Sequence, residues 1–112
     1  MALPSTGSMR YILGIDIGGT NCRVGGVYPD LQLAEPVARY KSRTLFDTDE
    51  PEKVLITIIE EYILAHPEGT PAGICIGFPG TVNKAKDTVI SCPNLLAFTD
   101  RNIAEPLEER FH

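Results

Sequence analysis

An apolar run that stops on Asp-Ile-Gly-Gly-Thr-Asn and resumes at once constrains this chain more than any other stretch. In ILGIDIGGTNCRVGGV, residues 12–27, the glycine pair supplies the two residues an antiparallel hairpin needs. RYILGIDI (10–17) is β-branched and apolar almost throughout and reads as a strand buried on both faces. CRVGGVYP (22–29) reads as its partner, ended by the turn signal Pro29-Asp30. A hairpin alone requires neither Asp16 before the glycines nor Thr20-Asn21 after them.

Those extra residues have a chemistry in common. Gly18 and Gly19 carry no side chains, so their N–H groups, with those of Thr20 and Asn21, can converge on an anion. Thr20 adds a hydroxyl and Asn21 an amide. Asp16 would repel a bare phosphate and fits beside one when a cation lies between them. Mg²⁺ held through water by one or two carboxylates is the usual arrangement. The stretch therefore reads as a metal–nucleotide turn. Neither G-x-x-x-x-G-K-[ST] nor G-x-G-x-x-G is present, and the turn leads into a strand, so no helix dipole is on offer. The competing reading is a tight turn whose Asp and Thr merely tie down the loop. Arg23 by itself reads as a strand-end charge facing solvent.

PVARYKSRT (36–44) sets Val37, Arg39 and Lys41 against Ala38, Tyr40 and Ser42, a third, half-exposed strand that completes an antiparallel meander. In DTDEPEKVLITIIEEYILAHPEG (47–69), Asp49 and Glu52 have capping-box spacing and Pro51 suits a first turn. Val54, Leu55, Ile58, Ile59, Tyr62 and Ile63 recur at helical spacing, and Pro67 and Gly69 end the helix. PAGICIGFPG (71–80) is a second buried strand, expected to lie parallel to the first because it leaves a helix. TVNKAKDTVISCPNL (81–95) reads as a hairpin with NKAKD at its tip. NIAEPLEERF (102–111) reads as a helix, with Asn102 and Glu105 at capping-box spacing and Leu107 and Phe111 on one face. The order is β-β-β-α-β, a small hairpin, then α. The next strand of such a mixed sheet is missing, so the chain reads as cut short. The strand at 72–78 is left as an unpaired edge, through which the chain is expected to dimerise or aggregate.

The 112 residues suffice for one domain. A net charge of −5 without a basic stripe argues against nucleic acid and anionic membrane as partners, while backbone N–H groups can still hold a nucleotide. Three isolated cysteines, Cys22, Cys75 and Cys92, point to a reducing compartment. No apolar run is long enough for a membrane span or a signal core, so a soluble, cytoplasmic protein is expected. Cys75 reads as a small buried apolar residue; Cys22 and Cys92 adjoin loops, and nothing in the sequence argues for their reactivity. His66, beside Pro67, and His112 read as surface residues. MALPSTGS (1–8) reads as a disordered terminus or an expression remnant, leaving 9–112 as the folded unit.

GIDIGGTNCRVGGV (14–27) resembles the first phosphate motif of the actin/hexokinase-like ATPase superfamily, in the form found in the ROK family of bacterial sugar kinases and sugar-responsive repressors. GICIGFPGTVN (73–83) is similar to the family's second landmark, where a strand ends in Gly-x-Pro-Gly. SCPNL…LEERF (91–111) resembles the segment that follows. The resemblance covers essentially the whole chain from Met9. It implies a ribonuclease-H-like (actin-like ATPase) α/β domain and transfer of the γ-phosphoryl group of ATP to a sugar hydroxyl. Asp16 would then help hold Mg²⁺ through water. Gly18, Gly19, Thr20 and Asn21 would form the phosphate turn, with Arg23 beside it. Pro79 and Gly80 would border the sugar, and Asn94 would lie in the loop approaching it.

The family's catalytic base is an Asp in an Asn-Asp pair, on the strand that follows the helix resembled by LEERF. The sequence stops at Phe111-His112, so no catalytic residue is assigned. Glu108 and Glu109 read as a solvated helix face and Asp87 as a hairpin tip. The family's second phosphate motif, adenosine pocket and Cys/His zinc cluster lie in its C-terminal half. The expectation is an incomplete N-terminal lobe of a sugar kinase, glucokinase-like by family, inactive and at best a weak nucleotide binder by itself. The alternatives are a non-catalytic fragment of the same fold and the sugar-sensing domain of a ROK repressor. Only nine residues precede the first strand, which disfavours the repressor reading for the chain as given.

Overall fold

A computed structural model describes residues 9–85 and 87–111. Three antiparallel strands, β1 (Met9–Ile17), β2 (Asn21–Val27) and β3 (Leu33–Lys41), lead through the one-turn helix α1 (Ser42–Leu45) to α2 (Pro51–Ala65). β4 (Gly69–Gly77) returns parallel to β1 and gives the sheet order β3-β2-β1-β4. A second, small antiparallel sheet follows, made of β5 (Thr81–Val82), β6 (Thr88–Ser91) and β7 (Arg101–Asn102). A 3-10 turn at Leu96–Phe98 precedes β7, and α3 (Ala104–Phe111) ends the described chain. The meander, the crossover helix, the parallel strand, the hairpin and the final helix all form in the expected order, with shifted bounds and with α1, the 3-10 turn and β7 in addition.

One face of the sheet holds the core. Tyr11, Leu13, Ile15 and Ile17 of β1 alternate inward with Cys22 and Val24 of β2, against Leu55, Ile58, Ile59 and Tyr62 of α2. The other face is open, and here the expectation of strands buried on both sides fails. Ile12 is 47% exposed and Asp16 lies in solvent, because the described helices pack on one face only. The same pleat corrects the reading of β4. Ile74 and Ile76 pack against the core cluster, whereas Cys75, expected to be buried, is exposed between Gly73 and Gly77.

Three further differences have local causes. β3 stops at Lys41 rather than running to Thr44. The Ser42 N–H bonds Thr20 O at 2.9 Å and the Phe46 N–H bonds Ser42 O, which coils the chain into α1. Asp49 and Glu52 do not form a capping box at α2, whose cap residue is Glu50 with no side-chain bond. Arg101 takes the Glu52 carboxylate instead, its guanidinium bonding it at 3.1 Å and also bonding the backbone carbonyl of Asp49. His66 is buried rather than on the surface. Its ring stacks on Tyr62 at 3.9 Å and its Nδ1 lies 2.9 Å from Tyr62 O, because the helix ends against the sheet as β4 begins. At α3 the expected cap does form, the Glu105 N–H donating to Asn102 Oδ1 at 3.0 Å.

β4 is an edge strand among the described residues. Between it and α3 lies a hollow of about 490 Å³, lined by Ile74, Ile76, Phe78, Ile103, Leu107 and Phe111 among others. Residues 1–8 lie outside the described residues.

Candidate functional site

β1, β3 and β4 run the same way, so Ile17, Lys41 and Gly77 end at one margin of the sheet, where β2 begins. Ligands of open α/β sheets bind beyond such carboxyl ends. The Gly18–Asn21 turn lies there. It is closed by the Gly18 N–H donating to Asn21 O at 2.8 Å, and a Cβ at residue 18 would stand 2.9 Å from that same oxygen. Gly19 is needed for a different contact. A Cβ there would meet Asn94 Cβ at 3.3 Å, so the structure brings the Asn94 loop directly onto the turn. Thr20 O is fixed by the Ser42 N–H, and Asn21 Oδ1 accepts from Lys41 Nζ at 3.4 Å.

Asp16 faces Arg23 across the β1–β2 ladder, and the Arg23 guanidinium donates to Asp16 Oδ2 at 2.7 Å. Both side chains are more than half exposed, so the pair adds at most about 1 kcal/mol to stability. Its consequence is orientation. Arg23 is therefore not a lone solvent charge. On the other side of Asp16 its register partner is Gly77, where a Cβ would meet nothing within 4 Å.

The Asn94 loop is held from behind. Phe98 is fully buried, edge-on to Phe46 at 4.7 Å and to Phe78 at 5.1 Å, so one aromatic cluster joins the ends of α1 and β4 to the loop. The Leu95 N–H bonds Cys92 O at 3.1 Å and the Cys92 N–H bonds Thr99 Oγ1 at 3.3 Å. Pro79 and Gly80 follow β4 immediately. A Cβ on Gly80 would lie 2.1 Å from Ser91 O, so this glycine is required by the chain's own backbone, whatever it borders. A shallow hollow of about 710 Å³ opens beside Asn94, lined by Arg43, Asp47, Thr48 and Asp49 as its polar groups.

The remaining candidates sort by environment. Cys22 and Cys92, which adjoin loops in the sequence, are buried. Burial, aided by the Asp16 charge, pushes the Cys22 thiol up to about 11, and burial also raises Cys92. Asp87 is held below the usual carboxylate range by hydrogen bonds from Asn83 and Thr88. Its backbone carbonyl accepts from the Ile103 and Ala104 N–H groups, so it ties the hairpin to α3. Glu108 and Glu109 are exposed, as expected. Sequence reasoning missed Lys41, Ser42 and Arg101. The alternation of Arg39 and Lys41 was a signal for the first; nothing local marked the other two.

This arrangement, a mixed sheet with a glycine turn between its first two strands and a crossover to a parallel fourth, defines a ribonuclease-H-like α/β domain of the actin-like ATPase type. The chain belongs to the ROK family, whose family model matches residues 12–112. Among solved structures it is similar to a protein of Cytophaga hutchinsonii assigned as a sugar kinase, with 28% identity and a TM-score of 0.77 over 90% of this chain and 33% of that one. It is also similar to an inorganic polyphosphate/ATP-glucomannokinase from Arthrobacter sp. strain KM, with 26% identity and a TM-score of 0.69 over 90% of this chain and 40% of that one. The fold is shared with a ROK family glucokinase from Streptomyces griseus in complex with glucose and AMPPNP, at 22% identity and a TM-score of 0.67 over 90% of this chain and 30% of that one. Among curated protein sequences none matches. The chain thus spans about a third of the length of these solved relatives.

Proposed function

We propose that this chain is the phosphate-turn lobe of an ATP-dependent sugar kinase that phosphorylates a hexose, with glucose to glucose 6-phosphate as the leading reaction. One observation carries the reading: Asp16, the Gly18–Asn21 turn and Asn94 converge at the carboxyl margin of the sheet, with Gly19 packed on Asn94. Membership of the ROK family and likeness to sugar kinases support it.

In this reading the turn's N–H groups and the Thr20 hydroxyl hold the ATP phosphates, and Arg23 orients Asp16 while offering a cation to the same phosphates. The donor set suits Mg²⁺ carried in by the nucleotide. Asp16 offers a single exposed carboxylate with open space over Gly77 beside it, and among the described residues no cluster of three ligating side chains forms a protein cage. When bound, that ion neutralises charge on the phosphates. Pro79, Gly80 and Asn94 border the sugar, and the hydroxyl and carboxylate groups of Thr48, Asp47 and Asp49 line the adjoining hollow. The base that accepts the sugar proton comes from outside these residues. The chain alone is accordingly inactive, and with half the cleft absent it binds Mg-ATP at about 1 mM or more weakly. The protein works in the cytoplasm.

Titration of the isotope-labelled chain with Mg-AMPPNP tests this reading. Amide shifts are expected at residues 18–21 and at Asn94. In a longer protein that phosphorylates hexose, Asp16→Asn is expected to lower kcat about 100-fold or more. Absent shifts at the turn, or unchanged turnover in Asp16→Asn, refute the proposal.

A further inference from the structure

Arg101 ties together three segments that the sheets leave separate. It stands in β7 opposite Val89 of β6, so its backbone is anchored on the small sheet. Its Nε donates to Ala97 O at 2.8 Å, one terminal guanidinium nitrogen donates to Glu52 Oε2 of α2 at 3.1 Å, and the other bonds the Asp49 carbonyl. Residues 43–49 and 93–97 supply the two walls of the hollow beside Asn94. Phe46 touches Phe98 behind them, and among the described residues the hydrogen bonds that join one wall to the other run through Arg101. The Arg101 side chain is 35% exposed and does not line the hollow itself.

An ion pair with Glu52 needs a cation, and a lysine would serve. Three acceptors on three segments need a planar fork whose donors point in fixed directions. Charge-assisted bonds of this kind hold direction as well as distance. The Ala97 and Asp49 carbonyls are therefore kept at one separation. Asn94, three residues before Ala97, is kept with them against Gly19, where a Cβ would meet Asn94 Cβ at 3.3 Å. We propose that Arg101 is a positioning residue for the candidate site: its guanidinium fixes the gap between the two walls and so holds Asn94 on the phosphate turn. The inference rests on the reading of the Asn94 loop as a border of the sugar. Displacing a bound substrate by about 1 Å costs roughly 100-fold in rate, so a wall held in this way governs the reaction without touching the sugar.

Two substitutions separate position from charge. Arg101→Lys keeps a cation facing Glu52 but cannot span both carbonyls, whereas Glu52→Gln removes the ion pair and leaves both carbonyl bonds in place. In the parent chain the Gly19 α-protons and the Asn94 side chain are expected to show a nuclear Overhauser contact, and the Arg101 Nε–H to exchange slowly with solvent. Arg101→Lys should lose the contact while the amide pattern of β1–β4 is kept, and Glu52→Gln should retain it. A rapidly exchanging Nε–H in the parent overturns the proposal without any variant. So does a contact that survives Arg101→Lys or vanishes in Glu52→Gln. In a longer protein that phosphorylates a hexose, Arg101→Lys is expected to lower kcat/KM for the sugar about tenfold or more and to leave KM for Mg-ATP within about twofold. Equal losses toward both substrates mark a merely structural role and overturn the proposal as well. Absence of Mg-AMPPNP shifts at 18–21 refutes the phosphate reading instead, and the Asn94 contact and the Nε–H exchange still decide the role of Arg101.

Discussion

Replacing Gly80 by alanine separates a residue that builds the site from one that touches ligand. The added Cβ would fall 2.1 Å from Ser91 O and 3.0 Å from Cys92 Cα, both backbone atoms that cannot swing aside. Relief requires a main-chain shift on the order of 1 Å, larger than a packed interior absorbs freely. The shift falls on a weak element, because β5 and β6 are joined by two pairs, Thr81 with Ser91 and Val82 with Val89. Losing that ladder forfeits about two backbone hydrogen bonds at ~1 kcal/mol each. Loosening Val89, which is 1% exposed, adds about 1 kcal/mol more. The total of about 3 kcal/mol corresponds to a fall in Tm of roughly 15 °C for a domain of this size. Thermal unfolding followed by circular dichroism, with Pro79→Ala as the comparison, provides the assay. If Gly80→Ala melts within a few degrees of the parent, the glycine is not dictated by backbone approach and the reasoning fails.

The Tyr62 hydroxyl accepts from the Gly26 N–H at 2.7 Å and donates to Ala34 O at 2.8 Å, so Tyr62→Phe strands two buried backbone groups. It should cost about 2–4 kcal/mol, read as a lower urea midpoint at constant m. Cys22, raised from 9.0 to about 11 in the fold, ionises earlier when unfolded. Above pH 9 the unfolded chain therefore binds fewer protons, and this part of the stability, complete below pH 9, drains away up to pH 11. Cys22→Ala should flatten that limb, and a steeper one would contradict the assignment. Of the three thiols, Cys75 should react first with an aromatic disulfide reagent, and fast labelling of Cys22 or Cys92 would count against their burial. The bare edge of β4 should make the chain self-associate as concentration rises, and sedimentation as a monomer throughout would remove that expectation.

The parts of the fold legible in the sequence were those carried by short-range pattern. Helix α2 showed itself through apolar spacing, β4 through its position after a helix, and the cap of α3 through Asn102 and Glu105. The capping box assigned to Asp49 and Glu52 failed for the converse reason. Its Glu52 carboxylate is claimed by Arg101, 49 residues away, and no local window contains both partners. Ser42, embedded in an alternating run, was drawn out of the strand by Thr20, more than twenty residues earlier in the chain.

By itself, then, the sequence determined the turn: Asp16, Gly18, Gly19, Thr20, Asn21 and Arg23 are contiguous, and a hairpin's register follows from its loop. It determined as well the direction of β4, since a crossover helix returns the chain parallel. Tertiary structure alone decided which face of the sheet is covered. That choice buried His66, Cys22 and Cys92, exposed Cys75, seated Asn94 on Gly19 and left Arg39 and Lys41 facing solvent beside Arg23. Alternation says that successive side chains part to opposite faces. Which face meets the helix depends on contacts tens of residues apart, such as that between Tyr62 and Gly26, and no local pattern contains them.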